Sequence, residues 1–375
     1  MKSIAYVLPA TVVGGAETKF FNIMRHMSGV RHVLLTHRHV APYFSELGIR
    51  VYLFEEYGCE DPLPVSVRRI ARYARAISSV ARKEAADCIV GIMHTGSFYG
   101  AAARDLYRLK APLIGTIEGV ISAFFDREGR APSLLEGLLL RYLLKRPRLI
   151  VVPSAGVKAD LAGNFGVDEE KITVIYNGVD IAHIRSSAEH AGQGEEAYSG
   201  KTIVTACRLS PEKDFLTLLR AFRLVRQKMK ARLVIVGEGE LREEITGNAR
   251  RLGVGEDVVI TGFQKNPFGF IKRADVFVLS SFFEGFGNVI VEAMALGVPV
   301  VATRCPTGPG EIIRSGHDGL LVPVGDDSAM SEAILRLLTD SAARDKLTVQ
   351  GRLRAEGFTV ETMAGSFRKL ITECC

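Results

Sequence analysis

Two glutamates, Glu284 and Glu292, stand with seven residues between them in SFFEGFGNVIVEAMALGVPVV, residues 281–301. Glu284 adjoins a Gly-Phe-Gly turn. Glu292 lies in a run that is otherwise apolar: Val289, Ile290, Val291, Ala293, Met294 and Leu296. An unpaired carboxylate in such surroundings costs several kcal/mol. Glu292 therefore needs either a structural partner, such as a neighbouring arginine, or a ligand. Asn288 and Glu292 are four residues apart, so on a helix they share a face, with Cβ atoms about 6 Å apart. Free N–H groups at the start of that helix, reached through glycines, suit a phosphate. A carboxylate one turn deeper suits the paired hydroxyls of a ribose.

Other polar residues fall where β-rich runs give way to helical ones. Arg208 and Lys213, in RLSPEKDF (208–215), follow a strand-like run and precede a helical one. Two cations there make a natural diphosphate clamp, with the arginine able to bind two oxygens at once; the alternative is a solvated helix start. Gly14-Gly15-Ala16-Glu17 follows the first strand-like run, and adjacent glycines let a backbone approach a ligand or take positive φ. His94 closes another run, and Glu118-Gly119 follows a third.

The elements that must hold these residues alternate in type. Strands are expected at 3–8, 31–36, 49–54, 88–93, 112–117 and 149–153. Helices are expected at 15–28, 66–86, 97–109, 132–146 and 155–164. The continuous apolar runs at 88–93 and 149–153 fit parallel strands covered on both faces. A polar stretch at 185–200, RSSAEHAGQGEEAYSG, reads as a linker or exposed loop. The alternation then restarts, with strands at 201–207, 232–236, 257–261, 275–280, 298–302 and 319–322. Helices follow at 213–229, 239–252, 266–273, 288–296, 327–339, 342–355 and 360–373. This is an α/β chain of two Rossmann-like, doubly wound parallel-sheet domains, with ligands expected in a cleft at the carboxyl ends of the strands. The domains are expected at 1–182 and 183–358. Residues 359–375 would form a helix packing back on the first.

The length of 375 residues fits two domains. Net charge is +6; residues 1–180 hold 23 basic and 18 acidic residues, or +5, which leaves +1 for the rest. That excess suits an anionic partner but is too small to argue for nucleic acid, and no nucleic-acid motif is present. The six cysteines have no metal-type spacing and read as reduced thiols of a cytoplasmic protein. The opening MKSIAYVLPATVVGGAE reads as a strand and glycine loop rather than a leader: one basic residue, Pro9 in the apolar run, and Glu17 soon after. No run of about 20 apolar residues predicts a membrane-spanning helix.

The set of Gly14-Gly15-Ala16-Glu17, VIYNGVD (174–180), RLSPEKDF, EGFGNVIVEAMALGVPVVAT (284–303) and GPGEIIRSGHDGLLVPVGD (308–326) resembles the retaining glycosyltransferases of family four, with the GT-B fold. The resemblance spans essentially the whole chain. It implies that Arg208 and Lys213 bind the diphosphate of a nucleotide sugar and stabilise the leaving nucleotide. It places the backbone around Phe286, Gly287, Asn288 and Val289 at the phosphates and sugar. Glu292 falls at the ribose, Glu284 at the donor sugar near the reacting centre, and Gly262 and Phe263 at the base. Gly14 and Gly15 would close over the diphosphate from the other domain. Such enzymes need no bound metal or other cofactor, because protein cations neutralise the leaving group. The family often carries His-Gly where this chain has Glu118-Gly119, which puts histidine-centred acceptor chemistry in doubt. Glu17, His94 and Glu118 are the acceptor-side candidates.

The resemblance implies transfer of a hexose or N-acetylhexosamine from a nucleotide-diphosphate sugar, expected to be a UDP-sugar, to a glycan or lipid-linked glycan of a cell-surface polysaccharide or lipopolysaccharide. The rivals are a GT-B sugar-nucleotide epimerase and a non-catalytic sugar-nucleotide-binding protein. A nicotinamide dehydrogenase is disfavoured, since the first loop lacks G-x-G-x-x-G. Basic residues on 66–86 (Arg68, Arg69, Arg72, Arg75, Arg82, Lys83) and on 134–148 (Arg141, Lys145, Arg146, Arg148) suggest peripheral contact with an anionic membrane at its cytoplasmic face.

Overall fold

The computed structural model describes residues 1–60, 66–127, 134–189 and 200–375. The chain divides into two units: Met1–Asn177 with Val360–Cys375, and Gly178–Thr359. The sequence had placed these divisions at 182/183 and 358/359.

The first unit holds seven strands: β1 (Lys2–Leu8), β2 (Val30–Thr36), β3 (Arg50–Leu53), β4 (Cys88–Gly91), β5 (Leu113–Thr116), β6 (Leu149–Val152) and β7 (Ile172–Val174). Their order is β3-β2-β1-β4-β5-β6-β7, and every pair is parallel. The second unit holds six: β8 (Lys201–Ala206), β9 (Ala231–Val236), β10 (Val258–Gly262), β11 (Val276–Leu279), β12 (Val300–Thr303) and β13 (Leu320–Val322). Their order is β10-β9-β8-β11-β12-β13, again all parallel. In both sheets the first strand in sequence lies inside the sheet. The order reverses beside it, which opens a crevice at the carboxyl edge.

Parallel strands need helices on both faces, and each sheet is covered that way. In the first unit one core joins helices Val67–Lys83 and Met93–Tyr107 to the sheet, around Tyr73, Ile77, Tyr99 and Ile150. The other face packs helices Gly15–His26 and Val360–Cys374. There Phe20 and Phe367 meet edge to face at 5.7 Å. In the second unit, helices Phe215–Arg226 and Asp327–Thr339 cover one face, and Asn288–Leu296 and Ser341–Ala355 lie on the other.

Three expectations need correction. Helix Met93–Tyr107 starts four residues before 97, so His94 lies in its first turn rather than at a strand end. It can start early because glycines admit it: a Cβ on Gly91 or Gly96 would overlap Ser97 backbone or the Val7 carbonyl. Residues 185–189 are not linker but the end of helix Ile181–Glu189, whose Ile181, Ile184 and Ala188 are buried; 190–199 lie outside the described residues. Strand β7 and the short helices Ile121–Arg127 and Pro309–Ile312 were not foreseen.

Candidate functional site

At the carboxyl end of β8 the chain passes through Arg208 into a short 3-10 turn, Pro211–Lys213, and then into helix Phe215–Arg226. Asp214 joins the two in left-handed conformation, φ 46°, and its Oδ1 accepts from the Thr217 amide at 3.2 Å. Lys213 thus sits before the helix, not in it. Its carbonyl accepts from Ser280 Oγ at 2.6 Å, which binds the turn to the end of β11.

Lys213 and Glu284, 71 residues apart in sequence, are brought together: Nζ lies 2.6 Å from Oε1, and both side chains are largely buried. Ser281 Oγ donates to the same Oε1 at 2.6 Å. Desolvation pulls the ammonium pKa down, but Glu284, Cys207 and Glu212 more than offset this, so the net shift is upward and the lysine stays charged. Arg208 is not beside it as an equal partner. Its side chain is 75 % exposed and reaches Glu212 Oε1 at 3.3 Å, an oxygen also held by Ser210 Oγ at 2.6 Å. Of the two cations, Lys213 is anchored and largely enclosed, whereas Arg208 is exposed and lies against Glu212.

The loop after β11 is held from beneath. Thr303 Oγ1 donates to the Ser281 carbonyl at 2.5 Å, and Thr307 Oγ1 donates to the Glu284 carbonyl. Gly308, at φ 86°, packs so close to Phe286 that a Cβ would overlap its backbone. Phe286 is buried, with its ring against Phe358, so it anchors the loop while its backbone runs toward the helix. Gly287, at φ 102°, turns the chain into helix Asn288–Leu296, and no side chain caps that N-terminus. The first backbone N–H groups of a helix point out of its N-terminal end, here toward the loop that carries Glu284.

Glu292 lies one turn along. Ile290, Val291, Ala293, Met294, Ala295 and Leu296 around it are buried, whereas its own carboxylate keeps some contact with solvent. No hydrogen bond or ion pair reaches it among the described residues; the arginine partner that would have given it a structural role is not there. Burial alone pushes its pKa up to about 7. On the other side of β8, Gly262 ends β10 at φ 75°, its carbonyl accepting from Gly237 N at 3.0 Å. Phe263 follows, 78 % exposed, an open aromatic face.

In the first unit, Gly14 precedes helix Gly15–His26 in extended conformation, and neither Gly14 nor Gly15 takes positive φ. A Cβ on Gly15 would meet nothing within 4 Å, so the backbone does not demand glycine there; what the glycine leaves is open space. Glu17 is buried and caps the helix, accepting from Gly14 N at 2.8 Å. Desolvation raises its pKa, with Glu118 adding to the rise. Glu118 is met by Lys19, a residue the sequence reading passed over, with Nζ 2.8 and 3.1 Å from its two oxygens. Lys19 is 3 % exposed. His94 is exposed at the start of its helix, next to Met93 at φ 59°.

Among the described residues no group of three or more His, Cys, Asp or Glu side chains is placed to hold a metal ion. Among the described residues no helix is long and apolar enough to cross a membrane.

Two family models match the chain: Glycosyltransferase Family 4 over residues 13–183 and Glycosyl transferases group 1 over residues 200–340. Over 226 residues the chain is 31 % identical to N-acetylgalactosamine-N,N'-diacetylbacillosaminyl-diphospho-undecaprenol 4-alpha-N-acetylgalactosaminyltransferase of Campylobacter jejuni, covering 60 % of each chain. Over 172 residues it is 36 % identical to the lipopolysaccharide core biosynthesis glycosyltransferase LpsE of Rhizobium meliloti, covering 46 % of this chain and 47 % of that one. The chain thus spans about half to three-fifths of the length of these relatives. Among solved structures, that of Anabaena Alr3699/HepE in complex with UDP and glucose superposes with a TM-score of 0.83 over 99 % of both chains at 21 % identity, which establishes the fold. The chain belongs to the group 1, family 4 glycosyltransferases, with the GT-B fold.

Proposed function

We propose that this chain is a retaining, metal-independent glycosyltransferase. It moves a hexose or N-acetylhexosamine from a UDP-sugar to a glycan or lipid-linked glycan acceptor in the making of a cell-surface polysaccharide or lipopolysaccharide. The observation that carries this reading is the anchored Lys213–Glu284 pair beside the uncapped start of helix Asn288–Leu296. Lys213 has two N–H donors left for a diphosphate, and the helix start adds amides and the positive end of its dipole. Charge develops on the departing diphosphate, and fixed donors aimed there lower the barrier without reorganising. Glu284, held by Lys213 and Ser281, accepts from hydroxyls of the donor sugar. Glu292 accepts from the ribose, and Phe263 offers its face to the base. Arg208, largely exposed, exchanges Glu212 for the diphosphate once it is bound. Protein cations supply the neutralisation that a metal would otherwise give.

The acceptor class follows the relatives. The Campylobacter enzyme's name describes transfer onto a diphospho-undecaprenol-linked sugar, and that of the Rhizobium enzyme lipopolysaccharide core synthesis. The first unit carries Glu118 on the acceptor side, fixed by Lys19, with His94 at the rim. Contact with anionic membrane is supported by helix Val67–Lys83: Arg68, Arg72 and Arg75 are exposed, while Ala74, Ile77, Val80 and Ala81 are buried. Arg82 is partly engaged, donating to the Tyr107 carbonyl at 2.8 Å, and Lys83 lies over the Tyr52 ring.

A panel of UDP- and GDP-sugars, scored by thermal shift with and without a chelator, tests the donor. Sugar transfer to lipid-linked glycans, with the anomeric configuration of the product read by NMR, tests the reaction. Stabilisation by a UDP-sugar, unaffected by the chelator, and a product of retained configuration are expected. Failure of every nucleotide sugar to bind, or an inverted product, overturns the proposal.

A further inference from the structure

Beyond the residues assigned above, the carboxyl edge of the second sheet carries a cavity of about 680 Å³ lined by Phe282, Arg304, Pro306, Leu321, Pro323 and Val324. Its place in the sheet order is informative. Phe263 follows β10, Arg208 and Lys213 follow β8, and Glu284 follows β11, so base, diphosphate and sugar are assigned in that order along the edge. Of the cavity residues, Phe282 follows β11, Arg304 and Pro306 follow β12, Leu321 lies in β13, and Pro323 and Val324 follow it, so the cavity extends past the sugar along the edge. It also shares walls with the Glu284 loop. Phe282 stands between Ser281 and Glu284, its amide donating to the Glu212 carbonyl at 2.8 Å. Pro306 precedes Thr307, whose hydroxyl holds the Glu284 carbonyl. A group seated here lies past the sugar end of the donor site as assigned above.

The lining restricts the occupant. A carbohydrate presents a hydroxyl at almost every carbon and needs hydrogen-bonding side chains to match. This lining has one polar side chain, Arg304, which is exposed and has no partner among the described residues. The rest is an aromatic ring, two prolines and two aliphatic chains, with Phe282 45 % and Val324 38 % exposed. One guanidinium set in an apolar trough complements an amphiphile with a single anionic head. We infer that this cavity is an acceptor subsite that takes the phosphate-bearing end of a lipid carrier, with Arg304 on the phosphate and Phe282, Pro306 and Val324 along the first part of the hydrocarbon. The inference rests on the lipid-linked acceptor proposed above and locates part of its recognition in the second unit.

Geranyl diphosphate, geraniol and inorganic pyrophosphate serve as probes, titrated by calorimetry into the full chain saturated with UDP. Geranyl diphosphate is expected to bind at least about tenfold more tightly than either other probe. Arg304→Ala should weaken it about tenfold and Arg304→Lys much less, while both leave UDP affinity and melting temperature near wild type. Val324→Ser should weaken it about threefold. Absence of geranyl diphosphate binding, equal binding of pyrophosphate or geraniol, or an unchanged affinity in Arg304→Ala each overturns the inference. If UDP does not bind, the donor assignment falls instead, and the same titrations without UDP still test the cavity through Arg304→Ala.

Discussion

Glu292 makes the most discriminating variant, because its structure opposes stability to ligand binding. The carboxylate has no partner, and burial moves its pKa from 4.5 to about 7. A carboxyl whose folded pKa is raised contributes stability below its unfolded value and loses it as the pH climbs to the folded value and beyond. At about 1.36 kcal/mol per pH unit, the loss is about 3 kcal/mol by pH 8. Because the oxygens keep some contact with solvent, about 2 kcal/mol is the fairer expectation. Glu292→Gln keeps the shape and removes the charge. In chemical denaturation at about pH 8 it should be more stable than the parent by about 2 kcal/mol, and at about pH 4.5 the two should agree. Between these limits the parent should weaken with rising pH and the variant should not.

The same substitution should harm binding. A ribose donates to the carboxylate, and an amide offers one acceptor where the ionised group offers two. Affinity for a UDP-sugar, whose esterified phosphates stay ionised throughout, should therefore fall about tenfold at pH 8 in Glu292→Gln. In the parent that affinity should rise with pH through about 7, since binding favours the ionised form; in the variant this dependence should vanish. A gain in stability with a loss of affinity identifies a residue retained for its ligand. A variant no more stable than the parent at pH 8 would refute the claim that the carboxylate is unpaired, and unchanged affinity would refute the ribose assignment.

Lys213→Ala removes the anchored cation and leaves Glu284 without its partner, so turnover should drop by about two orders of magnitude or more, read as kcat under donor saturation; activity near wild type would dismiss the clamp. Phe263→Ala should raise KM for the donor several-fold with kcat little changed, as expected for contact with the base alone. Gly308→Ala places a methyl against the Phe286 carbonyl at a positive φ, and should lower stability by about 2 kcal/mol in denaturant melts while displacing the loop that holds Glu284. Lys19→Met strands Glu118 beside the buried Glu17 and should cost about 3 kcal/mol, most of it recovered in Lys19→Met/Glu118→Gln, by a double-mutant cycle.

Much of this site could be read from the chain because its strands run parallel and are covered on both faces. Such strands are short continuous apolar runs, and all six in the second unit were recognisable from composition alone. Strand β7 was not, because three residues at a sheet edge make no run. Residues 185–189, the end of helix Ile181–Glu189, read as linker because their polar side chains hid the helical spacing of Ala188 from Ile184 and Ile181. Side chains four apart on one helix, such as Asn288 and Glu292, could be related by periodicity. Pairs set by tertiary approach could not be. Lys213 meets Glu284 across 71 residues, and Lys19 meets Glu118 across 99.

The second of these pairs bears on the departure from the family pattern. A histidine after β5 can stay neutral and needs no counter-charge. A glutamate in the same place calls for a counter-charge, and Lys19 supplies it at 2.8 Å with its own side chain almost wholly enclosed. The Lys19–Glu118 pair brings opposite charges together and so adds no net charge after β5. In the acceptor-side role proposed above, Glu118 held by Lys19 is suited to orienting a hydroxyl by hydrogen bonding. In the retaining transfer proposed above, the diphosphate departs from the face that the acceptor enters, so its oxygens can take the proton of the incoming hydroxyl. In that proposal Glu118, fixed by Lys19, orients the acceptor, and Lys213, anchored by Glu284, holds the leaving group.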